Sequence, residues 1–490
     1  MEGCLHSLRP VMCAVFLAIL GAGIKAQEPT VSHLGDFVGT YTDSPGHPVE
    51  IINENGFFAV QDEAKYPLIP KGLNAFSTMY GPLLSFERDA NGAVTGYEQN
   101  GKFHPLVSSK VTSESVALAW PRTKRQWSSN YEYQVPLDMH DGIAVGNIAR
   151  SPLGAATADT IVRSILDGTY KDVHSVLLYH DRKLVLEEYF YGYNAHRPHQ
   201  LRSATKSVVS ALTGIAIDRR ALSGVNQRVS SAMKYSSYEN PDSRKAAITV
   251  GDFLSMSSGL DCDDHSSTSP GRETVLDDSP DWVKATLDLP MINDPGTKGY
   301  YCSGGVSVVG RMTENAVHMP LPEFAQKYLF APLGVARTDW TWNYDLTSAD
   351  KEYSQIHLRS RDMLKLGILF EQGGRWHGRR IISESWVSTS TAEHSHVDNV
   401  SYGYFWWRHM FNVETPGGAR QVVVIAAQGN GGQKIYIAPQ YHLVAVFTGG
   451  GYNADSTPPN TIMEKMILPR LMQAVNGVSA LWPKHSRTPN

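Results

Sequence analysis

A chain of 490 residues, 42% hydrophobic and 19% charged, carries enough apolar side chain for more than one packed core and is not disordered over most of its length. Its 44 basic and 48 acidic residues leave a formal net charge of −4 without a basic block. That balance argues against nucleic acid as a partner and points to small molecules or neutral polymers.

The first residues, with Arg9, an apolar run from Val11 to Ile24 and then Ala26, have the pattern of an export signal cut before Gln27. The run is shorter than the roughly 18 residues a spanning helix needs. No later segment has that character, so residues 1–26 are expected to be a signal peptide and the mature chain to be secreted or periplasmic, with no stable membrane span. An uncleaved anchor is the alternative, because Ile24 occupies a position three before the cut that favours a small residue. Cys4 and Cys13 fall inside the signal, which leaves Cys262 and Cys302. In an oxidising compartment these two are a disulfide candidate; otherwise they are buried thiols acting as small hydrophobes.

From about Leu34 to Leu106, short strand-length runs (Phe57 to Val60, Leu83 to Phe86, Ala93 to Tyr97) are separated by Asn55-Gly56, Asn91-Gly92 and Asn100-Gly101. Asn-Gly accepts positive φ at both turn positions, so each pair predicts a hairpin. Residues 31–110 are expected to form a small all-β accessory domain, sandwich or barrel. Residues 111–157, polar and basic near Arg122 to Gln126, are expected to be a linker.

Over 158–480 the pattern changes. Val176 to Leu178 and Leu184 to Tyr189 flank a polar turn, and Ser203 to Ala221 has helical spacing through Val208, Val209, Leu212 and Ile215. Further helices are predicted around Val250 to Met256, Leu321 to Phe330, Asp362 to Phe370 and Ile462 to Val475. Strands return at Val422 to Ala426, Lys434 to Ile437 and Leu443 to Phe447. Strands at both ends with helices between them predict an α/β (α+β) domain: one antiparallel sheet built from both termini, flanked by helices, with an all-helical region inserted.

The chemistry centres on S-A-T-K, Ser203 to Lys206. Residues three apart share a helix face, so the lysine amine reaches the serine hydroxyl, and a desolvated amine of lowered pKa serves as its base. Ser-x-x-Lys also occurs at Ser231 to Lys234 and Ser348 to Lys351, but in polar stretches; only Ser203 opens an apolar-faced helix. Two further segments follow in order: Tyr301-Cys302-Ser303, and Gly429-Asn430-Gly431-Gly432-Gln433 directly before a strand.

With these segments in this order the chain resembles the serine β-lactamase and penicillin-binding superfamily, and in spacing its class C branch. I-T-V-G-D-F-L-S-M-S-S-G-L from Ile248, L-F-A-P-L-G from Leu329 and Y-G-Y-F-W-W from Tyr402 are similar to its esterase and amide-hydrolase members. Asp261-Cys262-Asp263-Asp264 with Tyr301-Cys302 resembles relatives of the 6-aminohexanoate-dimer hydrolases. The resemblance runs from about Gly168 to Asn476 and is vaguer for the β domain in front.

The resemblance implies a β-lactamase-like fold and a serine hydrolase needing no cofactor. Ser203 would attack an acyl carbon while Lys206 and Tyr301, a coupled pair, move the protons; Tyr300 competes for the role of Tyr301. The backbone N–H groups of Ser203 and Gln433 would form the oxyanion site. Ser303, Asn430, Gly431 and Gly432 would contact substrate. Penicillin-recognising members carry Lys-Thr-Gly where Asn430-Gly431-Gly432 stands here, and class C enzymes usually have asparagine at Ser303. Losing the lysine charge lowers the expectation of β-lactamase or D-aminopeptidase/DD-peptidase activity and raises that of carboxylic-ester or small-amide hydrolysis. A non-catalytic sensor on the same scaffold is the remaining alternative.

Other residues have duller readings. Trp406, Trp407 and Tyr404 line an acyl pocket or belong to the core. Asp261, Asp263, Asp264 and His265 have metal-ligand character but read as a solvated loop, with no metal expected. His409 and His442 would serve a Ser-His-Asp enzyme, yet no G-x-S-x-G surrounds any serine.

Overall fold

The computed structural model describes residues 33–44, 47–61, 63–78, 81–122, 131–233, 235, 237–342, 355–415, 417–453 and 458–481. The expected signal peptide with Cys4 and Cys13, most of the basic stretch after Arg122, and Lys234, Ser348 and Lys351 of the rival motifs lie outside the described residues.

The first strands are β1 (Gly39–Ser44), β2 (His47–Asn53), β3 (Phe57–Gln61), β4 (Ala64–Pro67), β5 (Ile69–Pro70), β6 (Ala75–Ser77), β7 (Leu83–Arg88), β8 (Val94–Gln99) and β9 (Lys102–Ser108). All three Asn-Gly pairs turn hairpins. Gln99 and Lys102 close a two-residue turn in which Asn100 and Gly101 take φ of 52° and 74°, the left-handed pair that matches strand twist. The nine strands run in the order β4-β3-β2-β1-β9-β8-β7-β6-β5. Phe57 of β3 and Phe76 of β6 stand near opposite ends of that order, yet their rings lie 4.9 Å apart. The sheet therefore curls over its own aromatic core of Phe37, Tyr41, Phe57, Phe76, Phe86 and Tyr97. Ile52 and Val60 take no part in that core; they are buried in the larger core that follows.

The short α1 (Ser113–Ala117) leads to α2 (Gly154–Leu166), whose buried Thr157, Ala158, Ile161, Val162 and Ile165 form one face. The boundary expected at 158 falls inside this helix. The expected linker is packed at points among its described residues: Tyr131, Ile143, Ile148 and Leu153 are buried, and the Tyr133 hydroxyl donates to Val185 O at 2.9 Å. These apolar residues follow no regular period, so the sequence pattern hides their burial.

The remaining elements are β10 (Val173–His180), β11 (Lys183–Tyr189), β12 (His199–Gln200), α3 (Thr205–Asp218), α4 (Val250–Leu254), α5 (Glu273–Leu276), α6 (Trp282–Asp288), α7 (Gly304–Val317), α8 (Leu321–Ala325), β13 (Thr341–Trp342), β14 (Ile356–Leu358), α9 (Ser360–Glu371), β15 (Arg375–Trp376), β16 (Arg379–Arg380), α10 (Glu384–Ser390), β17 (Ser395–Val397), β18 (Val400–Tyr402), β19 (Trp407–Val413), β20 (Arg420–Gly429), β21 (Gln433–Ala438), β22 (Leu443–Gly449), α11 (Pro458–Ile462) and α12 (Leu468–Leu481). An eight-stranded antiparallel sheet has the order β11-β10-β22-β21-β20-β19-β18-β17. As expected, it joins a strand from each end of the region, β10 beside β22, one strand in from its β11 edge. On one face α9 packs so closely that Gly367 abuts Val444 and Ile435. On the other, Asn460 of α11 meets the Tyr436 hydroxyl. Among the described residues no helix is long and apolar enough to cross a membrane.

Candidate active site

Ser203 sits in a 3₁₀ turn, Arg202–Ala204, that leads into α3. Arg202 holds a left-handed φ of 49°, a conformation that persists only where surroundings impose it. Leu201 N donates to Ile356 O at 2.8 Å, Ile356 N donates to Thr205 Oγ1 at 3.2 Å, and Ser207 Oγ donates to Phe405 O at 2.6 Å. One turn further on, Lys206 is only 1% exposed. Its Nζ donates to Ser203 Oγ at 3.0 Å and to Ser303 Oγ at 3.1 Å. It lies 5.1 Å from the Tyr301 ring centre, close enough for the two groups to interact electrostatically. Ser203, Lys206, Tyr301 and Ser303 are thus brought together, whereas Tyr300 faces Lys298.

Burial by itself pulls the Lys206 pKa down. Tyr301, Glu273 and Asp264 outweigh it and hold the amine above its ordinary range. The lowered amine pKa expected from desolvation is therefore corrected by the acidic neighbours. Asp264 is half-buried, not part of a solvated loop. Its carboxylate accepts from Ser303 N at 2.8 Å and Glu273 N at 2.7 Å, while burial pushes it up against the opposing pull of Lys206. The Cys262–Cys302 disulfide, Cα atoms 5.2 Å apart, brings this loop to Tyr301. The His265 ring stacks on Tyr301 at 5.3 Å, and its Nδ1 lies 2.6 Å from Asp398 Oδ2. Trp407 stacks on Tyr301 at 5.5 Å.

The third segment is a tight turn between Gly429, ending β20, and Gln433, opening β21. A Cβ on Gly429 would sit 2.1 Å from Leu201 O and 3.1 Å from Ala204 N, so only glycine lets this strand end lie against the Ser203 turn. Gln433 is turned to other work. Its Nε2 donates to Gly449 O at 2.6 Å and Asn430 O at 3.1 Å, and its Oε1 accepts from Gly449 N at 3.0 Å. The Gln433 side chain thus braces the turn, and the close approach of this strand end to the Ser203 turn is at Gly429.

Asn430 is also engaged: Nδ2 donates to Asn453 Oδ1 at 2.7 Å, and Oδ1 accepts from Asn453 N at 3.0 Å. Gly431 and Gly432, with Asn430 and Lys434, line a cavity of about 480 Å³. Lys434 is buried and donates to Gln428 Oε1, which also lies 2.9 Å from His409 Nε2. Burial lowers Lys434 to about 7; burial, with Lys434 adding to it, lowers His409 to about 4. Trp406 is fully buried with its ring 4.5 Å from Phe370, so it is core and not a substrate contact. His442 lies exposed beside Glu371 at 3.6 Å, away from Ser203.

The sequence assigned no role in the site to Asp264, Glu273, Gly429 or Lys434 themselves. The signal for Asp264 was present, since a bridge between Cys262 and Cys302 carries the acidic residue toward Tyr301. Gly429 carries none, because its reason is a backbone contact distant in sequence.

Known proteins resemble this chain in sequence and in fold. A 6-aminohexanoate-dimer hydrolase of Paenarthrobacter ureafaciens is 25% identical over 218 residues, 42% of this chain and 54% of that protein, so the match spans about half of the relative's length. The fold is similar to that of EstCE1, a hydrolase with promiscuous acyltransferase activity, with TM-score 0.51, 13% identity, and 67% of this chain and 100% of that chain covered. It is also similar to a family VIII carboxylesterase, with TM-score 0.50, 15% identity, and coverage of 70% and 100%. The profile of the family described as Beta-lactamase matches residues 166–458, the span holding all three site segments, and the chain belongs to the beta-lactamase family.

Proposed function

We propose that the protein cleaves carboxylic esters or small amides through an acyl-enzyme on Ser203. The observation that carries this reading is the Lys206 amine, 3.0 Å from Ser203 Oγ and 3.1 Å from Ser303 Oγ, with Tyr301 beside it. Ser203 Oγ forms the bond to the acyl carbon as its proton passes to the Lys206–Tyr301 pair. The tetrahedral oxyanion is held by the backbone N–H groups of Ser203 and Gln433, on a turn whose Gly429 end lies against the Ser203 turn. Collapse breaks the bond to the leaving group, which takes the proton from the pair. Water then repeats the sequence and frees Ser203 and the acid.

Asn430 is neutral and tied to Asn453, so it offers no charge to a β-lactam or peptide carboxylate. The curated relative is named for an amide, which supports small amides beside esters. The expected front domain, residues 31–110, acts as an accessory unit. The Cys262–Cys302 bridge supports export to an oxidising compartment, secreted or periplasmic. The test is a panel of chromogenic short-chain esters, linear amides and nitrocefin, run on wild type and Ser203→Ala. Ester or amide turnover that vanishes in the variant supports the reading; preferential nitrocefin hydrolysis contradicts it.

A further inference from the structure

The β3–β4 hairpin of the N-terminal sheet enters the wall behind the nucleophile. Gln61 pairs with Ala64, and in the intervening turn Glu63 takes a φ of 68°. The hairpin cannot drift. Val60 and neighbouring Ile52 are buried in the second core, Lys65 Nζ lies 3.0 Å from Asp172 Oδ1, and the same amine donates to Leu118 O at 2.9 Å. From that fixed turn, Glu63 Oε2 accepts from the backbone N–H of Gln200 at 3.3 Å. It also lies 4.0 Å from His199 Nδ1. Burial lowers His199 to about 4, so at neutral pH its imidazole is uncharged and the polar contact to Gln200 is what the carboxylate supplies.

Only Leu201 and Arg202 separate Gln200 from Ser203. Arg202 is the left-handed residue, and several contacts clamp it in place. Gln200 Nε2 donates to Gln355 Oε1 at 2.8 Å, Leu201 N donates to Ile356 O at 2.8 Å, and the Arg202 guanidinium lies 4.8 Å from the Tyr452 ring centre. These contacts come from the family-matched region or from residues beside it in space. Glu63 comes from outside that match. We propose that Glu63 is a positioning residue that acts through the Gln200 N–H on the strained Arg202 turn, fixing Ser203 Oγ against Lys206, and that the N-terminal sheet is thereby part of the catalytic unit.

The inference rests on Ser203 as nucleophile, and the test separates the two. Full-length wild type, Glu63→Ala, Glu63→Gln and Glu63→Asp are compared for ester kinetics and for amide hydrogen exchange in the peptide covering 199–203. Glutamine keeps an acceptor oxygen at the same reach, whereas aspartate keeps the charge but withdraws it by one methylene. The expected result is kcat about tenfold lower in the alanine and aspartate variants with KM within about twofold, wild-type behaviour in the glutamine variant, and faster exchange at 199–203 only where kcat falls. If alanine prevents folding, the glutamine and aspartate pair decides alone. Wild-type kcat and exchange in Glu63→Asp, or equal losses in the glutamine and aspartate variants, would overturn the proposal. A wild type that hydrolyses no acyl substrate sinks the Ser203 reading instead, and the exchange pattern still judges the contact between Glu63 and the 199–203 segment.

Discussion

At the scale of single residues, the site is a balance of charges around one buried amine. Burial pulls the Lys206 proton off, and Tyr301, Glu273 and Asp264 hold it on. The pair of Lys206 and Tyr301 must shed one proton before it accepts that of Ser203, so activity is expected to rise with pH on the alkaline side. Asp264→Asn removes a negative charge but leaves an oxygen for the Ser303 N–H. Its absence makes the Lys206 proton easier to lose, so the alkaline limb of the kcat/KM profile is expected to move to lower pH. A limb that stays put or moves up contradicts this assignment of Asp264. Most of this residue set was legible: Ser203 and Lys206 stand three apart at the start of an apolar-faced helix, and the resemblance to the β-lactamase superfamily pointed to Tyr301 and Ser303. The side chain of Asn430 and the choice between Trp406 and Trp407 were not. Which of two adjacent tryptophans meets Tyr301 depends on where β19 begins, and Phe405, just before the pair, takes a φ of 60° that redirects the chain.

At the scale of elements, two features bear on stability with opposite sign. The disulfide closes a separation of 40 residues, and loss of that constraint costs about 4 kcal/mol in the chain-entropy account. Cys262→Ser with Cys302→Ser is therefore expected to lower the denaturant midpoint strongly; an unchanged midpoint under non-reducing conditions contradicts the bridge. Lys434 works in the other direction. Burial takes its pKa from the ordinary 10.5 to about 7, so between these values the unfolded chain binds a proton that the folded chain does not. The penalty of burying the amine is full below about pH 7 and fades as pH rises toward 10.5. Lys434→Met is expected to stabilise the protein by about 1–4 kcal/mol at pH 7, with the gain shrinking by pH 10. A gain that grows with pH reverses the sign and contradicts the buried amine. Among elements, hairpins were easy to read because Asn-Gly turns have a local cause. Helix α7 was not, because it opens on Gly304-Gly305, poor helix formers that the sequence accepts where Gly304 packs against Thr286.

At the scale of the whole molecule, the late strands find their place only through β10, and that pairing of distant segments was inferred from strands recurring at both ends of the region. How the N-terminal sheet meets the rest was not inferable, since Glu63, Lys65, Ile52 and Val60 look like ordinary turn and strand residues until the partner surface is seen. Both sheets reach the short path from Gln200 to Ser203, through Glu63 on one side and Gly429 on the other, and the proposed chemistry depends on the hydroxyl at its end. The most direct test is intact and peptide mass spectrometry after exposure to a fluorophosphonate or a slowly deacylating ester. A single adduct on the peptide holding Ser203, absent from Ser203→Ala, is the predicted result. Equal labelling of the variant, or ester turnover that survives the substitution, would contradict the account.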